Sequence, residues 1–300
     1  MILTTRIRLL IGIGAAALVI GAALTWFLRS RSNPAGLAFA PYGDSHETKP
    51  DFARLEYDLP LKPSDLVKLT PANVKDYDQE QVDQIYSRLT AGPIPDGPYE
   101  GDLFLPKGRN GYSQLAEVIG GIRGRALNLE LTGLESLARV LWKGKVFYKE
   151  EGIVRNRLDH LEPLEELLPN RIDQEKVRRL SANGRTNQLL FPAKLYCGQS
   201  LLDSRRESII IDYTFTDDLP GYQEFPDSLA GRDGLALRGE VRMVRPGFYL
   251  GRGYINGVFV LNTTLYSEAA AKAKTDPFLR THEVEEDCWV GSQRLAESAR

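Results

Sequence analysis

The chain has 300 residues, 42% of them hydrophobic and 26% charged, with 38 basic side chains against 40 acidic ones. Four of the arginines flank one apolar run near the N-terminus, so the body beyond that run is more acidic than the chain as a whole. This balance argues against a nucleic-acid partner, whose binding would rest on a basic face. The body of about 270 residues suffices for one large domain or two small ones.

Residues Leu9 to Leu28 (LLIGIGAAALVIGAALTWFL) carry no charge, with Arg6 and Arg8 before them and Arg29 and Arg31 after. As a helix rising about 1.5 Å per residue, this run spans a hydrocarbon core of roughly 30 Å. A cleaved signal peptide is the rival reading. Its apolar stretch is usually shorter, and the one nearby A-x-A match, Ala38-Phe39-Ala40, is followed by Pro41. The expected topology is a single-pass membrane protein: residues 1–8 in the cytoplasm, a transmembrane helix over 9–28, and the body on the periplasmic or extracytoplasmic side. The arginine bias behind this orientation is slight, and Trp26 and Phe27 suit the outer interface.

Residues 29–75 read as an extended tether, rich in Pro, Gly, Ser and charge over 29–63 (Pro34, Pro41, Pro50, Pro60 and Pro63). An α+β barrel-like domain is expected over 76–266 and a charged tail over 267–300. Asp76 to Leu89 has Val82, Ile85, Tyr86 and Leu89 at helical spacing, with acidic residues in its first turns, and predicts an amphipathic helix. Gly92–Gly101 is dense in turn residues and leads into a short strand at 102–105. Tyr112 to Leu141 predicts two helices broken by glycines. Leu161 to Leu180, interrupted at Pro163 and Pro169, predicts a third helical region that covers the outside.

From Phe191 onward the pattern turns to strands. Phe191–Cys197, Glu207–Tyr213, Gly239–Arg245, Phe248–Tyr254 and Val258–Tyr266 alternate or run apolar, with Pro246-Gly247 and Asn256-Gly257 as hairpin turns. Short strands joined by tight turns predict an antiparallel meander. Six or seven strands can be counted, which favours an open or helix-plugged half-barrel over a closed one. Without βαβ alternation, a parallel nucleotide-binding sheet is not expected.

Several segments carry a resemblance: Gly92–Gly101, Trp142–Phe147, Ile209–Tyr213 and Pro246–Gly251. In pattern they resemble a family of uncharacterised bacterial proteins, membrane-anchored or secreted, similar to small antiparallel barrels of the lipocalin kind. The resemblance covers roughly residues 92–266. It implies a fold and brings no activity and no catalytic residue with it.

Chemistry-bearing motifs are sparse. The three histidines, His46, His160 and His282, form no HxH or HExxH pattern, and no Walker loop, GxSxG elbow or strand-following GxGxxG occurs. No metal and no cofactor are expected. The glycines of Gly247–Gly253 read as hairpin and bulge chemistry rather than a phosphate cradle. Cys197 and Cys288 would lie in the translocated body, where a disulfide is permitted; two buried thiols fit equally well.

The candidate site residues are charges and aromatics inside strands. Glu207, Asp212, Glu240, Arg242 and Arg252 sit in segments that otherwise look buried. Either they form the wet face of a one-sided sheet, or Asp212, Glu240, Arg242 and Arg252 line a cavity, an arginine meeting a ligand carboxylate or phosphate. Tyr196, Tyr213, Tyr249 and Tyr254 would supply apolar walls with polar tips. Trp142 with Lys143 and Lys145 would cap the barrel mouth, or its indole would anchor a helix-to-strand junction. The leading expectation is a membrane-tethered protein binding a small amphipathic or apolar ligand, such as a lipid. An enzyme using Asp212 or Glu240 on a lipid-like or envelope substrate is the alternative, and an envelope assembly component docking a partner through residues 112–141 is the third.

Overall fold

The computed structural model describes residues 33–43, 48–107, 141–162, 165, 172–182 and 185–292. Among them nine antiparallel strands are paired: β1 (Gly97–Phe104), β2 (Trp142–Tyr148), β3 (Ile153–Leu158), β4 (Arg178–Ala182), β5 (Arg185–Gln199), β6 (Glu207–Asp212), β7 (Leu237–Arg245), β8 (Phe248–Ile255) and β9 (Val258–Tyr266). The helices used below are α1 (Phe52–Asp58), α2 (Pro63–Leu66), α3 (Gln79–Ser87), α4 (Glu224–Asp227) and α5 (Glu268–Thr281).

Eight strands close into a barrel. Each pairs with its neighbour in the chain, β9 returns to β1, and β3 pairs with β5 to seal the ring. β4 stands outside it as a hairpin arm on β5. Closure removes the exposed edges that an open meander would leave. The expected half-barrel is therefore corrected to a closed barrel. The uncounted strands are β3 and β4. β3 (IVRNRL) places Arg155, Asn156 and Arg157 in a row, a reading with no apolar alternation, yet all six of its residues are buried. β4 occupies the end of the region expected to be helical over 161–180.

Local chemistry explains the turns. Asn256 and Gly257 both take positive φ (48° and 78°), the geometry a two-residue hairpin needs to match strand twist. β5 is held on one edge by β3, and on the other it exchanges β4 for β6 near Phe191, which has φ 51°. Asp227 of α4 fixes that kink, accepting from Phe191 N at 2.7 Å and Gln223 N at 2.9 Å. Burial raises the pKa of this carboxyl despite those donors.

Alternate residues divide the barrel into two faces. Ile209 and Ile211, Val241 and Met243, Tyr249, and Leu265 point inward with Tyr99, Phe147, Val154 and Leu195. The outward residues of β6–β9 are covered rather than wet. α3, α1 and residues 33–40 lie over them, and Val82, Ile85, Tyr86, Leu37 and Leu69 pack with Val244, Phe248 and Leu250. α3 begins at a capping box in which Asp78 accepts from Gln81 N and Gln81 returns to Asp78 N. Fully burying each of these large side chains contributes about 1.5–3 kcal/mol.

The tether expected over 29–75 differs in its described part. Ala35, Leu37, Leu55, Leu69 and Val74 are all buried. The segment also holds the short helices α1 and α2, with Pro63 at the first position of α2, so the prolines divide it into short pieces without preventing packing. The 267–300 tail likewise begins as α5, with Ala271 and Phe278 buried. The expected membrane run 9–28 and all but Leu141 of the helices expected over 112–141 lie outside the described residues. Among the described residues no helix is long and apolar enough to cross a membrane.

Candidate ligand-binding site

One half of the barrel interior is solid. Tyr99 makes edge-on contacts with Phe147 at 5.5 Å and with Tyr249 at 5.8 Å. Tyr249 donates to Pro93 O at 2.5 Å, and burial raises its hydroxyl pKa well above the usual value. Residues 90–94 and 284–288 pack against this half: Gly92 N donates to Glu286 at 2.8 Å and Ile94 N to Asp287 at 2.7 Å. Cys197 of β5 and Cys288 are joined by a disulfide that ties the C-terminal segment to the barrel. Glu207 lies within 4.8 Å of both sulfurs, but the sulfurs are spent on each other, and Glu207 accepts from Trp289 N.

The other half is hollow, with a cavity of about 210 Å³. Leu103, Trp142, Ile211, Leu237, Val241, Ile255 and Leu261 form its apolar wall. The space has a local cause. Gly239 of β7 and Gly253 of β8 pair directly in register and share the inward face, so two adjacent strands contribute no side chain at the same level. A Cβ at Gly239 would approach Ile211 Cβ at 3.3 Å.

A polar cluster sits on one wall. Lys145 of β2 and Asn156 of β3 are register partners, and Tyr213 reaches them from just past β6. Lys145 Nζ donates to Asn156 Oδ1 at 2.6 Å and to the Tyr213 hydroxyl at 2.6 Å. Trp142 Nε1 donates to the same Asn156 oxygen at 2.9 Å. Asn156 Nδ2 donates to the Tyr213 hydroxyl at 2.9 Å. The ammonium also lies 5.6 Å from the Trp142 ring centre and 5.2 Å from that of Tyr213. The Trp142 indole lies against Gly101, where a Cβ would stand 2.5 Å from it. Lys145 is 7% exposed and has no ion-pair partner among the described residues.

The remaining predicted residues are placed elsewhere. Glu240 and Arg252 border the cavity, but their side chains turn to the outer face, where Glu240 Oε1 is engaged and its buried Oε2 has no hydrogen-bond partner among the described residues. Glu240 accepts from Leu201 N at 2.9 Å and Arg238 at 3.1 Å. Arg252 pairs with Asp83 of α3, donates to the Tyr254 hydroxyl at 3.0 Å, and stacks 3.9 Å from the Phe259 ring centre. Arg242 is fully buried between barrel and cover. It donates to Ser208 Oγ, Tyr86 O, Asp203 Oδ2, Asp203 O and Arg206 O, at 2.9–3.3 Å. Asp212 accepts from Tyr196 at 2.7 Å on the outside and closes a turn with Thr214 N. Burial, then the hydrogen bond to Asp212, push the Tyr196 hydroxyl up to about 12.

Of the candidate ligand residues, the structure thus gathers Trp142, Lys145 and Tyr213 with side chains at the cavity; Tyr254 borders it, its hydroxyl accepting from Arg252. Tyr249 lies in the packed half, and Tyr196, Asp212, Glu240, Arg242 and Arg252 are turned to the outer face. Asn156 was not among the expected residues. Its position opposite Lys145 follows from strand register, which no local sequence signal carries. Comparison with protein-family models, with curated proteins and with solved structures gives no match to this chain.

Proposed function

We propose that the protein is a binding protein that holds a small, mainly apolar molecule in the hollow half of a lipocalin-like barrel. The observation that carries this reading is the half-filled lumen: aromatic packing fills one end, while paired glycines keep the other open beside a few converging polar groups. Such concave, mostly apolar sites with sparse polar anchors are the usual form of a small-molecule site. The side-chain chemistry of Asp212 and Glu240 lends less support to an enzyme, because both carboxylates turn away from the lumen, Asp212 accepting from Tyr196 and Glu240 Oε1 from Leu201 and Arg238.

In this reading residues 9–28 hold the protein at a cell membrane as a single pass, with the barrel on the extracytoplasmic side. The uncharged run between arginine pairs supports the anchor. The Cys197–Cys288 disulfide supports an oxidising compartment. Native mass spectrometry of the full chain, purified without added ligand, tests the proposal. A mass excess released by organic extraction is expected. Bare chain mass, together with no rise in melting temperature across a panel of small apolar compounds, would overturn it.

A further inference from the structure

The lumen contains a charge that no described residue neutralises. Lys145 is 93% buried by its 7% exposure, and its ammonium has two neutral partners, Asn156 and Tyr213. An ammonium carries three protons, so one is left without a protein acceptor among the described residues. Asn156 Oδ1 is already crowded: Lys145, Trp142 and, at 3.2 Å, the Tyr213 hydroxyl all lie within donating distance of it. The cluster is therefore rich in donors and poor in acceptors. A buried cation without an opposite charge is costly to keep. Every other buried arginine or lysine of the barrel strands that touches a carboxylate does so on the outer face or at the rim, as Arg252 does with Asp83 and Arg242 with Asp203.

We propose that the ligand supplies the missing charge: it is a compact monocarboxylic acid whose carboxylate pairs with Lys145 and whose apolar body fills the space beside Gly239 and Gly253. This inference rests on the lumen being a binding site and names the chemistry of its occupant. The volume limits the body. An engineered apolar cavity of about 150 Å³ takes one benzene, so 210 Å³ takes a molecule of roughly eight or nine non-hydrogen atoms by the same ratio. A one-ring acid or a chain of about seven carbons meets that limit, and a whole phospholipid exceeds it. The carboxylate would accept the free Lys145 proton and draw Trp142 Nε1 from the overloaded amide oxygen.

Calorimetric titration of the full chain with benzoate and with heptanoate, each against its matched alcohol, tests this. A charge-assisted contact of this kind predicts that at least one acid binds about tenfold to a hundredfold tighter than its alcohol. In Lys145→Met that ratio falls to about one, and a cooperative thermal unfolding transition shows that variant to be folded. If acids and alcohols bind the wild type alike, the acid assignment is overturned and the lumen reading stands. If neither class binds, both are overturned.

Discussion

Replacing Arg242 by methionine isolates the cover between barrel and helices. The side chain is fully buried and makes five hydrogen bonds, to Ser208, to two oxygens of Asp203, and to the backbone of Tyr86 and Arg206. Its guanidinium also sits 4.8 Å from the Tyr86 ring centre. Methionine keeps the packed stem and removes every donor. Asp203 would retain Arg205, at 2.8 Å, as its remaining ion partner. The carbonyls of Asp203 and Arg206 would lose their donor at about 1–3 kcal/mol each, and breaking a buried pair costs about 3–5 kcal/mol in all. We expect Arg242→Met to lose about 3–5 kcal/mol in urea unfolding, and Arg242→Lys, which keeps charge without the planar fork, to lose about half of that. A loss below about 1 kcal/mol for the methionine variant would refute the view that this residue is a structural clamp.

Three further outcomes follow from the same structure. The Asp203 carboxyl has its pKa lowered: burial raises it, but the hydrogen bond and charge of Arg205 and the charge of Arg242 outweigh burial. A depressed carboxyl stabilises the fold above its unfolded value of about 3.9, and that contribution is lost as pH falls below it. Asp227, raised by burial, acts with the opposite sign. Stability measured from pH 6 to pH 3 should therefore fall less steeply in Asp203→Asn than in the wild type; equal slopes would contradict the assignment. Reducing the Cys197–Cys288 disulfide, whose sequence separation is 91, should lower stability by up to about 4–5 kcal/mol, read by denaturation with and without reductant. Lys145→Met should stabilise the ligand-free chain by about 1 kcal/mol, because it removes a buried charge lacking an opposite one; a loss above about 2 kcal/mol would make Lys145 a structural anchor instead.

Much of the second half of the barrel is legible in the sequence, because β6 to β9 alternate or run apolar and Asn256-Gly257 favours a tight hairpin turn. The same alternation misleads about Glu240, Arg242 and Arg252. It tells that a strand has two faces, but not what covers the second one, and here the cover comes from residues 33–87. Residues up to 75 read as a linker because proline density signals irregular backbone, whereas burial of Leu37, Leu55 and Leu69 depends on where that backbone lies. β3 is hidden because Arg155 and Arg157 reach partners at Pro220, Tyr99 and Asn187 only in the closed barrel. Trp142, Lys145 and Tyr213 are visible as residue types suited to a site. Their convergence on Asn156 is a product of register and closure.

The central claim is that the hollow half of the barrel receives a ligand. A crystal structure of the protein grown with 5-bromopentanoate, an acid within the size the cavity allows and located by bromine anomalous scattering, tests it most directly. The account predicts a bromine peak inside the lumen beside Gly239 and Gly253, with the carboxylate at Lys145. A lumen without the compound at saturating concentration, or bromine only on the outer surface, would contradict it.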